Sequence, residues 1–213
     1  MGRGLFIALE GIDGTGKSTQ ARRLAGWLEG RGREVILTAE PSPGPLGELV
    51  RQGLSREEVF APGVMTLLFA ADRLDHLVRI INPALARGQA VISDRYLLSS
   101  LAYQSVHNNP DWVRSVNSKA ARPDLTILLD LEVEDCLARL EARNGRREIY
   151  ERAEFLGQVR LNYLDLAARA AETGERMVVI NAGLPAREVT RRVVEAAARL
   201  PELEIPPRSR PKA

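Results

Sequence analysis

Eight consecutive residues carry the clearest chemistry in this chain: Gly11-Ile12-Asp13-Gly14-Thr15-Gly16-Lys17-Ser18. They fit G-x-x-x-x-G-K-[ST], with a strand-like run before them and a helical pattern after them, the context that a phosphate-binding loop requires. Glycines let a backbone wrap phosphate oxygens without Cβ clashes. Successive N–H groups at a helix start offer partial positive charge. Lys17 adds a full charge for the β- and γ-phosphates of a nucleotide, and Ser18 offers Mg²⁺ a hydroxyl. Thr19 completes the phosphate-binding set of Gly11, Asp13, Gly14, Thr15, Gly16, Lys17 and Ser18. Of 30 basic residues only Lys17, Lys119 and Lys212 are lysine, so a chain that otherwise uses arginine keeps a lysine at position 17.

A second reactive cluster closes the run Val91-Ile92-Ser93-Asp94-Arg95. It puts a carboxylate and a guanidinium at the C-terminal end of a buried strand, the edge at which open α/β sheets bind ligands. Asp94 suits Mg²⁺ or its waters, and Arg95 suits a bidentate phosphate clamp. The chain has no N-K-x-D, the signature of guanine-reading GTPases, and no transport signature or repeated domain. His76 and His107 show no metal-ligand spacing. Cys136 lies in a helical pattern beside Leu137 and reads as packing; alone, it forms no internal disulfide.

The elements that must position these groups alternate between strand and helix. Strand-like runs are Leu5–Leu9, Glu34–Thr38, Ala90–Ser93, Leu125–Leu131 and Met177–Ile180. Between them lie helical patterns, such as Ala21, Leu24, Ala25 and Leu28 on one face, and Phe155, Val159, Tyr163 and Leu166 on another. Ser55-Arg56-Glu57-Glu58 has the form of a capping box and predicts the start of a long helix running toward Ile80. The alternation predicts an α/β fold with a five-stranded, mainly parallel sheet and helices on both faces. With 213 residues, 45% hydrophobic and 27% charged, the chain is a globular domain rather than a disordered one. One domain is expected over 1–205. The Pro/Arg-rich tail 206–213 is expected to be poorly ordered. It holds Arg208, Arg210 and Lys212 and no acid; without it the charge is 27 basic against 28 acidic, so the basic pI says nothing about nucleic-acid binding by the domain, and no nucleic-acid partner is expected. No apolar run approaches the roughly 20 residues of a membrane span. With no signal-peptide pattern at the start, the expected location is cytoplasmic.

Longer stretches carry a family resemblance. Asp94-Arg95-Tyr96-x-x-Ser99-Ser100-x-Ala102-Tyr103-Gln104 resembles the D-R-[YH]-x-x-S-x-x-A-Y-Q segment of thymidylate kinases, which have a P-loop NTPase fold. Thr38-x-Glu40-Pro41, Leu68-Phe69-Ala70-Ala71-Asp72-Arg73 and Pro123-Asp124-Leu125-Thr126 resemble further segments of that family, in the same order. The resemblance implies ATP-dependent phosphorylation of dTMP to dTDP. It implies that Phe69 stacks on thymine, that Arg73 reaches a thymine carbonyl, and that Ser100 and Gln104 complete the base pocket. Tyr103 would exclude a ribose hydroxyl and Asp13 would bind the 3′-hydroxyl. Arg51 and Arg95 would hold the acceptor phosphate, with Glu40 supporting the cluster.

The same resemblance places a lid over about 143–150. Gly14 stands where some members carry a basic residue, so Arg143 and Arg147, with Arg146 close behind, are the candidates for the charge that joins Lys17, Asp94 and Arg95 in catalysis. Tyr150 would reach the acceptor from the lid side. Family likeness also implies Mg²⁺, held by Ser18 and Asp94, and a homodimer, for which the apolar stretch Val64–Leu77 is available. The family's T-R-E-P-G-G reads Thr38-Ala39-Glu40-Pro41-Ser42-Pro43 here, a change in loop composition. Two alternatives stand beside this reading: a nucleoside monophosphate kinase of different or broader base choice, and a non-catalytic P-loop regulator.

Overall fold

The computed structural model describes residues 4–55, 57–144 and 149–204. The strands are β1 (Leu5–Glu10), β2 (Val35–Ala39), β3 (Ala90–Asp94), β4 (Leu125–Asp130) and β5 (Met177–Asn181). They form one sheet in the order β2-β3-β1-β4-β5, and all four pairings are parallel. The helices are α1 (Lys17–Glu29), α2 (Pro45–Ser55), α3 (Pro62–His76), α4 (Asn82–Ala86), α5 (Leu97–Tyr103), α6 (Pro110–Val116), α7 (Val133–Asn144), α8 (Ile149–Arg169), α9 (Ala186–Ala198) and α10 (Pro201–Glu204). The tail 206–213 lies outside the described residues. No described helix is long and apolar enough to cross a membrane.

Every residue of β1 is buried, as expected of a central parallel strand covered on both faces. Its side chains divide by the period of two. Leu5, Ile7 and Leu9 join a core with Leu24, Leu28, Val159, Tyr163 and Val193, whereas Phe6 and Ala8 join a second core with Leu77, Ile81, Leu85 and Tyr96. Because β1 pairs with β3 on one side and β4 on the other, the chain changes direction across β1. The crevice of such a sheet opens there, at the C-terminal ends of the strands. Those ends deliver Gly11 from β1, Glu40 from β2 and Asp94 from β3.

The predicted helix start at Ser55 is corrected. Ser55 ends α2, its hydroxyl donating back to Gln52 O at 3.0 Å. Helix α3 begins at Pro62 after Ala61. Proline at the first helical position has its φ already set and no N–H to leave unpaired, and here that outweighs the capping pattern. The helical run then continues beyond His76 through a π-helical turn, Leu77–Ile81, into α4. Pro83 lies just past that turn and cannot donate to an ordinary helical ladder.

Candidate active site

The phosphate loop is shaped by three glycines with left-handed backbone: Gly11 at φ 138°, Gly14 at 93° and Gly16 at 94°. Side chains strain there. At two of them space is also closed, since a Cβ would fall 2.4 Å from Leu129 O at Gly11 and 2.6 Å from Cys136 O at Gly14. Cys136 is thus part of the floor on which the loop rests. Gly16 caps α1, and the first turn of that helix carries no acid, leaving its positive end for an anion. Lys17 is buried and donates to Ile12 O at 2.9 Å, a backbone contact it can exchange for a phosphate. Burial, reinforced by the Arg95 charge, lowers its pKa to about 8. The Ser18 hydroxyl donates to Asp94 Oδ2, which brings two hard oxygen ligands together beside the loop. Such a pair fits Mg²⁺, which takes one or two protein oxygens and keeps its remaining positions for water and phosphate.

Arg95 follows β3 with φ 73°, the only non-glycine residue of positive φ among the described residues. Strain of this kind concentrates at functional sites. It turns the guanidinium toward the phosphate loop. NH2 donates to Asp13 Oδ1 at 2.6 Å and Tyr103 Oη at 3.3 Å, and NH1 to Ser99 Oγ at 3.1 Å and Gly11 O at 3.3 Å. Beneath it lies Glu10, a wholly buried carboxylate that the sequence reading passes over. Glu10 accepts from Tyr96 N at 2.9 Å, Ser99 Oγ at 2.7 Å and Tyr163 Oη at 3.1 Å. Burial raises its pKa against the lowering effect of those donors and of Arg95. One signal was available: an acid that ends a six-residue buried strand and abuts the first loop glycine.

A cavity of about 760 Å³ opens beside this cluster. Asp13, Phe69, Arg95, Ser100, Tyr103 and Gln104 all line it, as do Pro41, Met65, His107 and Phe155. Six of the residues singled out in the sequence therefore meet in one space, drawn from the phosphate loop, α3, the end of β3, α5 and the 3-10 turn after α5. Tyr103, Phe155 and His107 form its aromatic rim, with His107 stacked on Phe155 at 5.7 Å between ring centroids.

Arg73 and Glu40 stand behind that cavity. Arg73 is 1% exposed, and its NH2 donates to Glu40 Oε2 at 2.7 Å, Ser100 Oγ at 2.9 Å and Tyr96 O at 3.1 Å. Its NH1 donates to Asn117 Oδ1. Arg73 Nε and Gln104 Oε1 are buried without a hydrogen bond from the protein. Glu40 also faces His76 Nδ1 at 3.3 Å, and His76 Nε2 lies 2.7 Å from Thr38 Oγ1. His76 and Asn117 carry no spacing signal; only packing brings them here. Arg51 lies elsewhere. It lines a neighbouring cavity of about 610 Å³ together with Ser18 and Asp94, and Pro41 lines both cavities. Of the lid candidates, Arg146 and Arg147 lie outside the described residues, as do the side chains of Arg143 and Tyr150.

A parallel sheet that changes direction at β1, a glycine-rich loop leading into α1 and a cavity beside that loop are the features of a P-loop nucleotide-binding fold. Comparison with known proteins narrows the class. A family model described as thymidylate kinase matches residues 9–193. The chain is 47% identical to a probable thymidylate kinase of Pyrococcus horikoshii over 186 residues, covering 84% of this chain and 89% of that protein. It is 44% identical to the thymidylate kinase of Clavibacter sepedonicus over 203 residues, covering 92% and 94%. The chain belongs to the thymidylate kinase family, whose members phosphorylate dTMP to dTDP.

Proposed function

We propose that this chain transfers the γ-phosphoryl group of ATP to dTMP, releasing ADP and dTDP, as a cytoplasmic homodimer that uses Mg²⁺. The observation that carries the reading is the convergence of Asp13, Phe69, Arg95, Ser100, Tyr103 and Gln104 on one cavity beside the phosphate loop. The acceptor phosphate is largely dianionic at neutral pH, because its second pKa is about 6. It needs no strong general base. What opposes reaction is repulsion between two phosphate groups, so catalysis consists of positioning and charge neutralisation. Lys17 exchanges Ile12 O for the β- and γ-phosphates. Arg95 and Arg51 hold the acceptor phosphate from the two sides of Pro41. Arg143 and Arg147, by family resemblance, are the further positive charges of this set. Ser18 and Asp94 would hold Mg²⁺, which would supply further positive charge to the site.

Base choice follows from hydrogen-bond complementarity. The pyrimidine imide edge sets a carbonyl acceptor beside an N–H donor. Arg73 Nε–H, a buried donor, and Gln104 Oε1, a buried acceptor, both lack protein partners. We assign Gln104 Oε1, which lines the cavity, to the N–H of that edge, with Phe69 stacked on the ring and Arg73 bracing the pocket from behind through Ser100. Tyr103, fixed by Arg95, lies beside the sugar and disfavours a ribose hydroxyl; Asp13 takes the 3′-hydroxyl. Support for a dimer is the exposed stripe Val64, Leu67, Leu74 and Val78, which recurs at helical spacing along α3 and the turn after it.

The test is ADP release with Mg-ATP and dTMP, dUMP, UMP, CMP, AMP or GMP as acceptor, for wild type and Gln104→Leu. Gln104→Leu is preferable to a change at Arg73, whose loss would leave Glu40 buried and partly unpaired. dTMP and dUMP, which share the imide edge, are expected to be preferred over CMP, AMP and GMP, with kcat/KM for dTMP lowered about 10- to 100-fold in the variant. Turnover of CMP or AMP equal to that of dTMP would overturn the base-pocket assignment. ATP binding without any acceptor-dependent turnover would favour a regulator.

A further inference from the structure

The loop between β2 and α2 carries Ser42 and Pro43 where the family's sequence pattern has two glycines, and the structure uses every polar atom of Ser42. Its N–H donates to Asp72 Oδ2 at 2.8 Å and its hydroxyl to Asp72 Oδ1 at 2.5 Å. The same hydroxyl accepts from Gly44 N at 3.1 Å. Its carbonyl accepts from Arg51 NH1 at 2.8 Å, and Pro41 O accepts from that nitrogen at 3.3 Å. Asp72 is fully buried and Ser42 is 1% exposed, so the two bonds between them face no competition from water. Helix α2 lies hard against the same carbonyl, since a Cβ on Gly47 would fall 2.0 Å from Ser42 O.

We infer that Asp72 is a positioning residue for the acceptor phosphate: through Ser42 it sets the loop carbonyls that aim Arg51. The inference rests on the role assigned to Arg51 under the proposed function. The other partner of Arg51, Glu48, is more than half exposed, and an exposed pair of this kind restrains a side chain weakly. The loop carbonyls are the firmer restraint. Asp72 and Arg73 are neighbours on α3 and grip the loop on either side of Pro41, one at Ser42 and the other at Glu40. Phe69, a turn earlier on α3, lines the base cavity. One helix therefore sets both the place of the base and, through Asp72, the place of the phosphate-binding arginine. The distance between the two ends of the acceptor is built into α3.

The experiment compares wild type, Asp72→Asn, Ser42→Gly, the double variant and Arg51→Ala in steady-state kinetics, with thymidine, which lacks the phosphate, as a competitive inhibitor. The expected result is that Asp72→Asn lowers kcat/KM for dTMP about 10- to 100-fold, mostly through KM, and that Ser42→Gly, which keeps the backbone N–H bond to Asp72, lowers it in the same way but by less. KM for ATP and the inhibition constant of thymidine stay unchanged, and the double variant is no worse than the weaker single one, because the two groups act as a unit. A merely structural role would weaken thymidine and dTMP alike, and that outcome overturns the inference. If Arg51→Ala weakens dTMP but Asp72→Asn and Ser42→Gly do not, the inference fails while the role of Arg51 stands. If Arg51→Ala leaves dTMP unaffected, both fail. Ser42→Gly, which restores a glycine of the family pattern, keeps the test decisive if Asp72→Asn does not fold.

Discussion

Glu10 and Arg95 do not bond to each other, yet a single hydroxyl joins them: Ser99 Oγ donates to Glu10 Oε2 at 2.7 Å and accepts from Arg95 NH1 at 3.1 Å. Glu10 also takes the N–H of Tyr96, the residue after Arg95, at 2.9 Å. The buried carboxylate thus holds Arg95 both by its backbone and by the far end of its side chain. An arginine in a left-handed backbone conformation needs such support, because that conformation costs about 1–2 kcal/mol.

Glu10→Gln tests this support. The amide keeps the volume and an oxygen for Tyr96 N, so global stability should change by no more than about 1 kcal/mol. Its NH₂ group, however, donates where the carboxylate accepts, and competes with Arg95 for Ser99 Oγ. We expect kcat/KM for dTMP to fall about ten-fold, equivalent to 1.4 kcal/mol, while ATP affinity holds. Chemical denaturation run beside the kinetics separates the two effects. A large stability loss with unchanged kinetics would make Glu10 a packing residue.

Lys17 sets an alkaline limit. Its pKa is lowered from 10.5 to about 8, first by burial and then by Arg95. The free enzyme therefore loses this charge as pH rises through about 8. ATP favours the ammonium, so binding near that pH takes up a proton. We expect kcat/KM for ATP to be flat below about pH 7 and to fall about ten-fold per pH unit above the pKa. Calorimetric titration of ATP in buffers of different ionisation enthalpy measures the proton uptake. A flat profile through about pH 9.5 would exclude Lys17 as the titrating group.

Gly14 and Gly16 share nearly the same φ but not the same surroundings. A Cβ at Gly16 meets nothing within 4 Å, whereas one at Gly14 strikes the backbone of α7 at Cys136 O, 2.6 Å away. Gly16→Ala should cost the conformational strain alone, about 1–2 kcal/mol. Gly14→Ala should cost that strain plus about 1–3 kcal/mol of overpacking. Urea unfolding of the two variants reads the difference directly. Equal losses would show that the loop adapts without moving α7.

The residues of the phosphate loop were legible in the sequence because their chemistry is local: spacing, glycine and a following helix suffice. Phe69, Ser100, Tyr103 and Gln104 were reached through resemblance, not through periodicity, and they do share one cavity. Glu10, His76, Asn117 and the Asp72–Ser42 pair were not legible as a site. Each is an ordinary polar residue until packing buries it against a partner 30 or more residues away. The start of α3 is not legible for a related reason, since Ser55 has two possible uses and Pro62 decides between them.

By itself, then, the sequence determined the alternation of strands and helices, the parallel α/β class and the place of the phosphate loop between β1 and α1. Hydrophobic periodicity and glycine placement act over a few residues and can be read in a line. Tertiary structure alone decided that Arg73 stands behind the cavity lined by Phe69 and Gln104, that Glu10 holds Arg95, and that Arg51 faces a second cavity across Pro41. Those outcomes depend on which buried charges and hydroxyls find one another once β1, β3, α3 and α5 pack. A buried polar group must be paired, but its partner is chosen by the fold and not by its neighbours in the chain.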